Sequence, residues 1–140
     1  MFKSKQIRVL VGVIIKNGSK ILVVPGIDQK KDEFFYRLIG GGVEFGEKLE
    51  EALRREIKEE IGSGLENISY LGFLENIFVY EGKNGHEIFF IYQGDLKNKE
   101  IYNKEEMPIL DSQMEAKAIW ASIDELKTHK FYPANIDKYI

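Results

Sequence analysis

A chain of 140 residues, 44% hydrophobic and 31% charged, has the size and balance of a single globular domain, residues 1–140, with a core of its own. Its net charge of -3 argues against broad attraction to nucleic acid or to an anionic membrane, and the absence of cysteine rules out disulfides and thiolate metal sites. The apolar run from Val9 to Ile15 is too short to span a bilayer, alternates like a strand and lacks a small-residue cleavage site, which predicts a cytoplasmic protein.

In chain order, "IRVLVGVII", "KNGSK" and "ILVVP" read as two β-branched runs joined into a hairpin, with Asn17-Gly18 supplying the positive φ angles of a tight turn. "IDQKKDE" is a polar loop, and "FFYRLI" is a short strand that runs into the glycines Gly40 to Gly42. Between Glu47 and Ile61 there is no glycine or proline, and good helix formers dominate, which predicts a helix stopped by Gly62 and Gly64. "ISYLGFLENIFVYEG" and "HEIFFIYQGDL" form a second hairpin turning at Gly82 to Gly85, and "KNKEIYNKEEMPILDS" is a polar excursion. "EAKAIWASI" is a strand, "SIDELKTHK" has the capping-box spacing Ser122 to Glu125, and "YPANIDKYI" closes the chain with a short helix. Strands outnumber helices without regular alternation, so the expected class is α+β, a mixed sheet with helices on its faces.

The long helix poses the functional question. On a wheel, Leu49, Ala52, Leu53, Ile57 and Ile61 form an apolar stripe, yet Glu60 falls roughly 20° and Glu56 roughly 60° from its centre. Glu59 lies at the flank, while Glu51 and Lys58 point away. Like charges at these spacings repel, and partial burial adds a desolvation cost unless a positive charge is present. One reading is a charged surface helix relieved by Arg54, Arg55 and Lys58. The other is a divalent cation, for which oxygen donors without cysteine or histidine suit Mg²⁺ or Mn²⁺.

The stretch Gly41 to Ser63, "GGVEFGEKLEEALRREIKEEIGS", resembles the Nudix box, G-x5-E-x7-R-E-U-x-E-E-x-G-U, in which U is a bulky aliphatic residue. Gly41, Glu47, Arg55, Glu56, Ile57, Glu59, Glu60 and Gly62 match in register, and Ser63 alone departs. A chance match is on the order of 10⁻⁶ from average composition, so coincidence is not the explanation. The resemblance implies an α/β/α sandwich and a metal-dependent pyrophosphohydrolase acting on a nucleoside diphosphate linked to another group. It implies that Glu56, Glu59 and Glu60 hold Mg²⁺ or Mn²⁺ with the backbone carbonyl of Gly40, and that Glu47 and Arg55 organise the carboxylates. A nucleoside triphosphate or dinucleoside polyphosphate is the favoured substrate, with a monomer or homodimer as the working unit. The competing class is a non-catalytic Nudix-like domain that senses a nucleotide. Damaged carboxylates would support that class, and here all are intact.

Outside the box, Glu115, five residues before Trp120, is a candidate to reach the metal site or accept a proton, and Glu87, after His86, is its rival. His86 reads as a polar loop residue, and Phe34, Phe35 and Tyr36 as sheet aromatics rather than base-stacking ones. Phe78 stands where relatives that hydrolyse ADP-ribose often carry proline, and Tyr80 where diadenosine polyphosphate hydrolases often carry tyrosine. Ile39 occupies a position where proline often precedes the family's glycines.

Overall fold

The computed structural model describes residues 5–112 and 116–140. Its strands are β1 (Ile7–Ile14), β2 (Lys16–Asn17), β3 (Lys20–Asp28), β4 (Glu33–Gly42), β5 (Leu65–Tyr80), β6 (Lys83–Leu96), β7 (Glu106–Pro108), β8 (Lys117–Ser122) and β9 (Lys130–Tyr132). Helix α1 (Leu49–Ile61) follows β4, α2 (Ile123–Thr128) follows β8, and 3-10 turns cover Lys99–Asn103 and Ile136–Tyr139. The sheet runs in the order β5-β6-β1-β4-β3-β8-β7, with β2 beside β3 and β9 beside β4. It is mixed, since β1 pairs parallel with β6 and antiparallel with β4. Among the described residues, no helix is long and apolar enough to cross a membrane.

The expected α+β class is therefore found, but strand pairing differs from the local pattern in one respect. The hairpin predicted from β1 and β3 exists only at its tip, where Lys16 pairs with Ile21 and Asn17 with Lys20. Beyond the tip β4 lies between the two strands, pairing Val13 with Ile39 on one side and Val23 with Leu38 on the other. The second hairpin turns earlier than expected, at Glu81-Gly82, whose φ angles of 49° and 81° are those of a tight two-residue turn. The polar excursion is only partly irregular, because it holds a 3-10 turn and β7. Ser122 caps α2 by accepting the Glu125 N–H at 3.1 Å, whereas the Glu125 carboxylate takes the Tyr36 hydroxyl at 2.7 Å instead of completing a capping box.

Two cores lie on opposite faces of the sheet. Val11, Val13 and Ile39 pack under Ala52, Leu53 and Ile57 of α1, while Ile14, Val23 and Leu38 pack with Leu126 and Ile136. That is the layered sandwich expected of the sequence, and it fixes α1 against the glycine end of β4. Leu53 is fully buried in the α1 layer. Leu53→Ala should lower unfolding free energy by about 2–5 kcal/mol in a denaturant titration while far-ultraviolet dichroism of the folded form stays unchanged. A loss under about 0.5 kcal/mol would show that α1 is not anchored through this residue.

Candidate active site

Helix α1 begins and ends on definite signals. The Lys48 N–H donates to Glu51 Oε1 at 2.9 Å at its start, and Gly62, at φ 70°, closes it with an N–H bond to the Lys58 carbonyl. Ser63, the departure from the aliphatic pattern, is buried and donates to the Gly64 carbonyl at 2.8 Å while accepting the Asn98 N–H at 3.1 Å. A hydroxyl therefore replaces apolar packing with two hydrogen bonds, one of which ties the end of α1 to the segment after β6.

The wheel is reproduced in three dimensions. Glu60 is 5% exposed, Glu56 is half-buried, and Glu51, Lys58 and Glu59 are exposed. Glu60 Oε1 accepts the Gly40 N–H at 3.2 Å. Gly40 has φ 151°, and a Cβ there would run into the Val11 backbone, so only glycine brings this amide to the helix. At Gly41 a Cβ would occupy the space of the Glu56 carboxyl group and displace it from this position.

Arg55 is the organiser of the cluster. Its Nε and Nη2 donate to the two oxygens of Glu47 at 2.7 and 2.8 Å, a bidentate fork. Nη1 donates to Glu56 at 2.9 Å and to Glu59 at 3.3 Å, and Nη2 also reaches the Gly42 carbonyl at 3.0 Å. Arg55, with an N–H from Glu44, holds the Glu47 carboxyl down to about 2. Glu56 moves the other way, because burial raises it more than Arg55 lowers it. Burial likewise pushes Glu60 up to about 7, against the attraction of Arg37 and with the repulsion of Glu56 and Asp111. One guanidinium thus serves three carboxylates, and the inner part of the cluster retains excess negative charge.

Asp111 completes the group and was missed by sequence reasoning. It follows β7, and the segment is fixed by buried Ile109, by the Ile109 N–H to the Ala116 carbonyl at 2.9 Å, and by the Leu110 N–H to the Glu60 carbonyl at 2.7 Å. One oxygen each from Glu56, Glu59 and Asp111 lies within 4.8 Å of the others. Only the aliphatic pair Ile109-Leu110 within a polar stretch hinted that this segment turns inward. Glu60 stands outside that triad, deeper under β4. Glu115 lies outside the described residues. Glu87 is on β6, with Arg8 among the charges acting on it. His86 is no loop residue but a strand position of β6, paired with Ile7 and Ile77.

The carboxylates open into a cleft of about 550 Å³ whose walls include Arg8, Arg37, Phe35, Phe78, Tyr80 and Tyr132. Of the three consecutive aromatics, Tyr36 is buried and Phe34 stacks edge-on against Tyr36 and His129, as expected of sheet aromatics. Phe35 differs, because alternation along β4 turns it into the cleft. The donor set fits a hard divalent cation: three carboxylate oxygens converge, the cluster among the described residues holds no soft ligand, and burial disfavours the charge on Glu56 and on Glu60 beside it.

Comparison with known proteins agrees with this architecture. A NUDIX hydrolase from Nitrosomonas europaea superposes with a TM-score of 0.64 at 22% identity, covering 89% of this chain and 78% of that one. A MutT NUDIX hydrolase from Burkholderia pseudomallei gives 0.63 at 24% identity, covering 86% of both chains. The fold is thus that of the Nudix hydrolases. The family profile described as NUDIX domain matches residues 6–139, and the chain belongs to the Nudix family. Among individual relatives, nucleoside triphosphatase NudI of Enterobacter sp. (strain 638) is 36% identical over 92 residues, 63% of this chain and 65% of that protein. The Salmonella arizonae protein of the same name is 48% identical over 61 residues, 41% of this chain and 43% of the relative. The matched stretches span less than two thirds of either relative.

The buried carboxyl groups make the metal-free fold sensitive to pH. Glu60 holds its proton up to about 7 when folded and to 4.5 ordinarily. The two states carry the same proton at low pH, and as pH rises through this window the folded state resists ionising. Stability should therefore fall between about pH 5 and about pH 8, by up to about 3 kcal/mol from Glu60, with Glu56 acting in the same direction. Thermal melts in chelator should show this decline, Glu60→Gln should flatten it, and Mg²⁺ should restore stability at the alkaline end. A melting temperature that rises across the window would contradict the assignment.

Proposed function

We propose that this protein is a divalent-metal-dependent pyrophosphohydrolase that cleaves a phosphoanhydride bond in a nucleoside triphosphate or a dinucleoside polyphosphate. The observation that carries this reading is the convergence of Glu56, Glu59 and Asp111 beside a cleft of nucleotide size with aromatic walls. The two relatives described as nucleoside triphosphatases support the first substrate class. Mg²⁺ or Mn²⁺ held by Glu56, Glu59 and Asp111 would neutralise charge on the phosphate oxygens and make water a better nucleophile.

The chain itself contributes orientation, charge and a proton acceptor. Arg55 fixes the Glu56 carboxylate through Oε1, and Glu47 locks Arg55 in turn. Glu56 Oε2, the oxygen Arg55 does not hold, is placed to take the proton of the attacking water. Glu60 holds the Gly40 amide and, with it, the glycine end of β4. Arg37, which lines the cleft and acts on Glu60, supplies positive charge for an anionic chain of phosphates. In the overall reaction, the oxygen of water bonds to phosphorus, the bridging P–O bond breaks, and the leaving phosphate keeps the bridging oxygen. The sensing alternative loses ground because a domain that only binds needs no such set of intact carboxylates around a charge-sharing arginine.

Release of phosphate and pyrophosphate should be measured over nucleoside triphosphates and dinucleoside polyphosphates with Mg²⁺. Activity should vanish in excess chelator and return with Mg²⁺ or Mn²⁺. Glu59→Gln, and likewise Asp111→Asn, should reduce turnover by about two orders of magnitude or more with the melting curve little changed, while Glu51→Gln on the outward face stays near wild type. Equal losses from Glu59→Gln and Glu51→Gln, or turnover that survives chelation, would refute this reading.

A further inference from the structure

The cleft has a second polar end that this chemistry leaves unused. Arg8 on β1 is in register with Glu87 on β6, and Glu87 is in register with Asn76 on β5. The three side chains thus form a row across adjacent strands, and all three line the cleft. Gly42 leaves room for the row, since a Cβ there would press on the Arg8 guanidinium.

Glu87 is unusual among the carboxylates in how loosely it is held. Its side chain is 13% exposed, yet Arg8 Nη1 stays 3.9 Å from one oxygen and Asn76 Nδ2 donates to the other at 3.5 Å. Arg55 holds Glu47 at 2.7 and 2.8 Å by contrast. Contacts at 3.5 Å and beyond leave a desolvated acceptor largely uncompensated, and burial pushes the Glu87 carboxyl up accordingly. Asn76 is itself buried, and its Oδ1 accepts the Ala134 N–H at 3.4 Å, which turns the NH₂ group toward Glu87. The row is therefore built and fixed, with two carboxylate oxygens that still accept hydrogen bonds. Phe35, Phe78 and Tyr132, in mutual ring contact through Tyr132, offer apolar faces for a planar heterocycle in the same cleft.

We propose that Glu87, set in place by Asn76 and Arg8, reads the nucleotide base and selects guanine. A carboxylate offers two parallel acceptors and repels any lone pair that faces it. Guanine alone among the common bases presents two adjacent N–H donors, N1–H and the N2 amino group, beside a carbonyl oxygen that suits the Arg8 guanidinium. Adenine and cytosine set a ring acceptor next to their amino group, and uracil sets its single N–H between two carbonyls. Each of those puts a lone pair against Glu87. The kinetic side of the proposal rests on the nucleotide-hydrolase reading, whereas base recognition itself does not.

Two measurements separate them. With saturating Mg²⁺, wild-type kcat/KM should be about tenfold or more higher for GTP than for ATP, CTP or UTP. Glu87→Gln should remove that advantage mainly by raising KM for GTP while KM for UTP holds or falls, with the Mg²⁺ activation midpoint unchanged. In chelator, calorimetric titration should show GMP binding more tightly than CMP or UMP, and Glu87→Gln should weaken GMP alone. Should that variant melt below the assay temperature, Glu87→Asp, which keeps the charge and retracts it, carries the same test. If no triphosphate is hydrolysed but GMP binds selectively through Glu87, the hydrolase reading fails and base selection stands. Equal handling of the four bases, a preference for another base, or a variant that lowers all substrates together overturns the proposal.

Discussion

Negative charge placed under a sheet is the constraint on which the rest of this structure depends. Glu60 and Glu56 sit one helical turn apart on the packed side of α1, one buried and the other half-buried. Burying such groups without compensation costs several kcal/mol each, far more than their mutual repulsion on a solvated helix. The structure meets part of that cost with Arg55, the Gly40 amide and the more distant Arg37. What remains, visible in the upward shift of both carboxyls, is a site that gains when a cation arrives.

The same constraint explains features that otherwise look incidental. The glycine end of β4 has no side chains because it is the wall through which helix and cleft meet: Gly41 makes room for Glu56 on one side and Gly42 for Arg8 on the other. Adjacent residues of a strand face opposite ways, so two consecutive glycines open both faces at one place. Arg55 needs Glu47 because a guanidinium free to rotate would collapse onto one carboxylate. Bidentate pairing aims Nη1 at Glu56 and Glu59 together. The α1 core beneath, from Ala52 to Ile61, holds the helix steady under this electrostatic load.

Much of this was legible in the sequence because it is local. The β-branched runs became strands, the glycine-free stretch became α1, and the wheel located the buried Glu60 within the apolar stripe. What escaped is what depends on distant partners. No local pattern says that β4 inserts between β1 and β3, since each of the three strands is equally apolar and the tip at Asn17-Gly18 favours a simple hairpin. Asp111 escaped for the same reason: its place beside Glu56 comes from Ile109 entering the core and Leu110 bonding the end of α1, neither of which has a periodic signature. His86 looked like a loop residue because the turn was expected to run as far as Gly85 beside it, but the turn closes at Gly82 and leaves it on a strand.

On the proposed reading, the two groups of carboxylates in the cleft would also impose a direction on a bound nucleotide. Glu56, Glu59 and Asp111 become attractive to phosphate only when a cation lies among them, whereas Glu87 has a fixed arginine on one side and a neutral amide on the other. A polyphosphate turned toward Glu87 would meet a carboxylate whose nearest arginine, Arg8, is 3.9 Å away and does not outweigh it. A base turned toward the triad would leave its charges unbalanced and gain nothing from the aromatic walls. The reversed orientation would therefore be disfavoured at both places at once, and each penalty strengthens as the ligand displaces water and the local dielectric falls. On the reading proposed here, orientation and base choice would both come from one carboxylate, so altering β5 and β6 would change substrate preference while leaving the charged helix as it is.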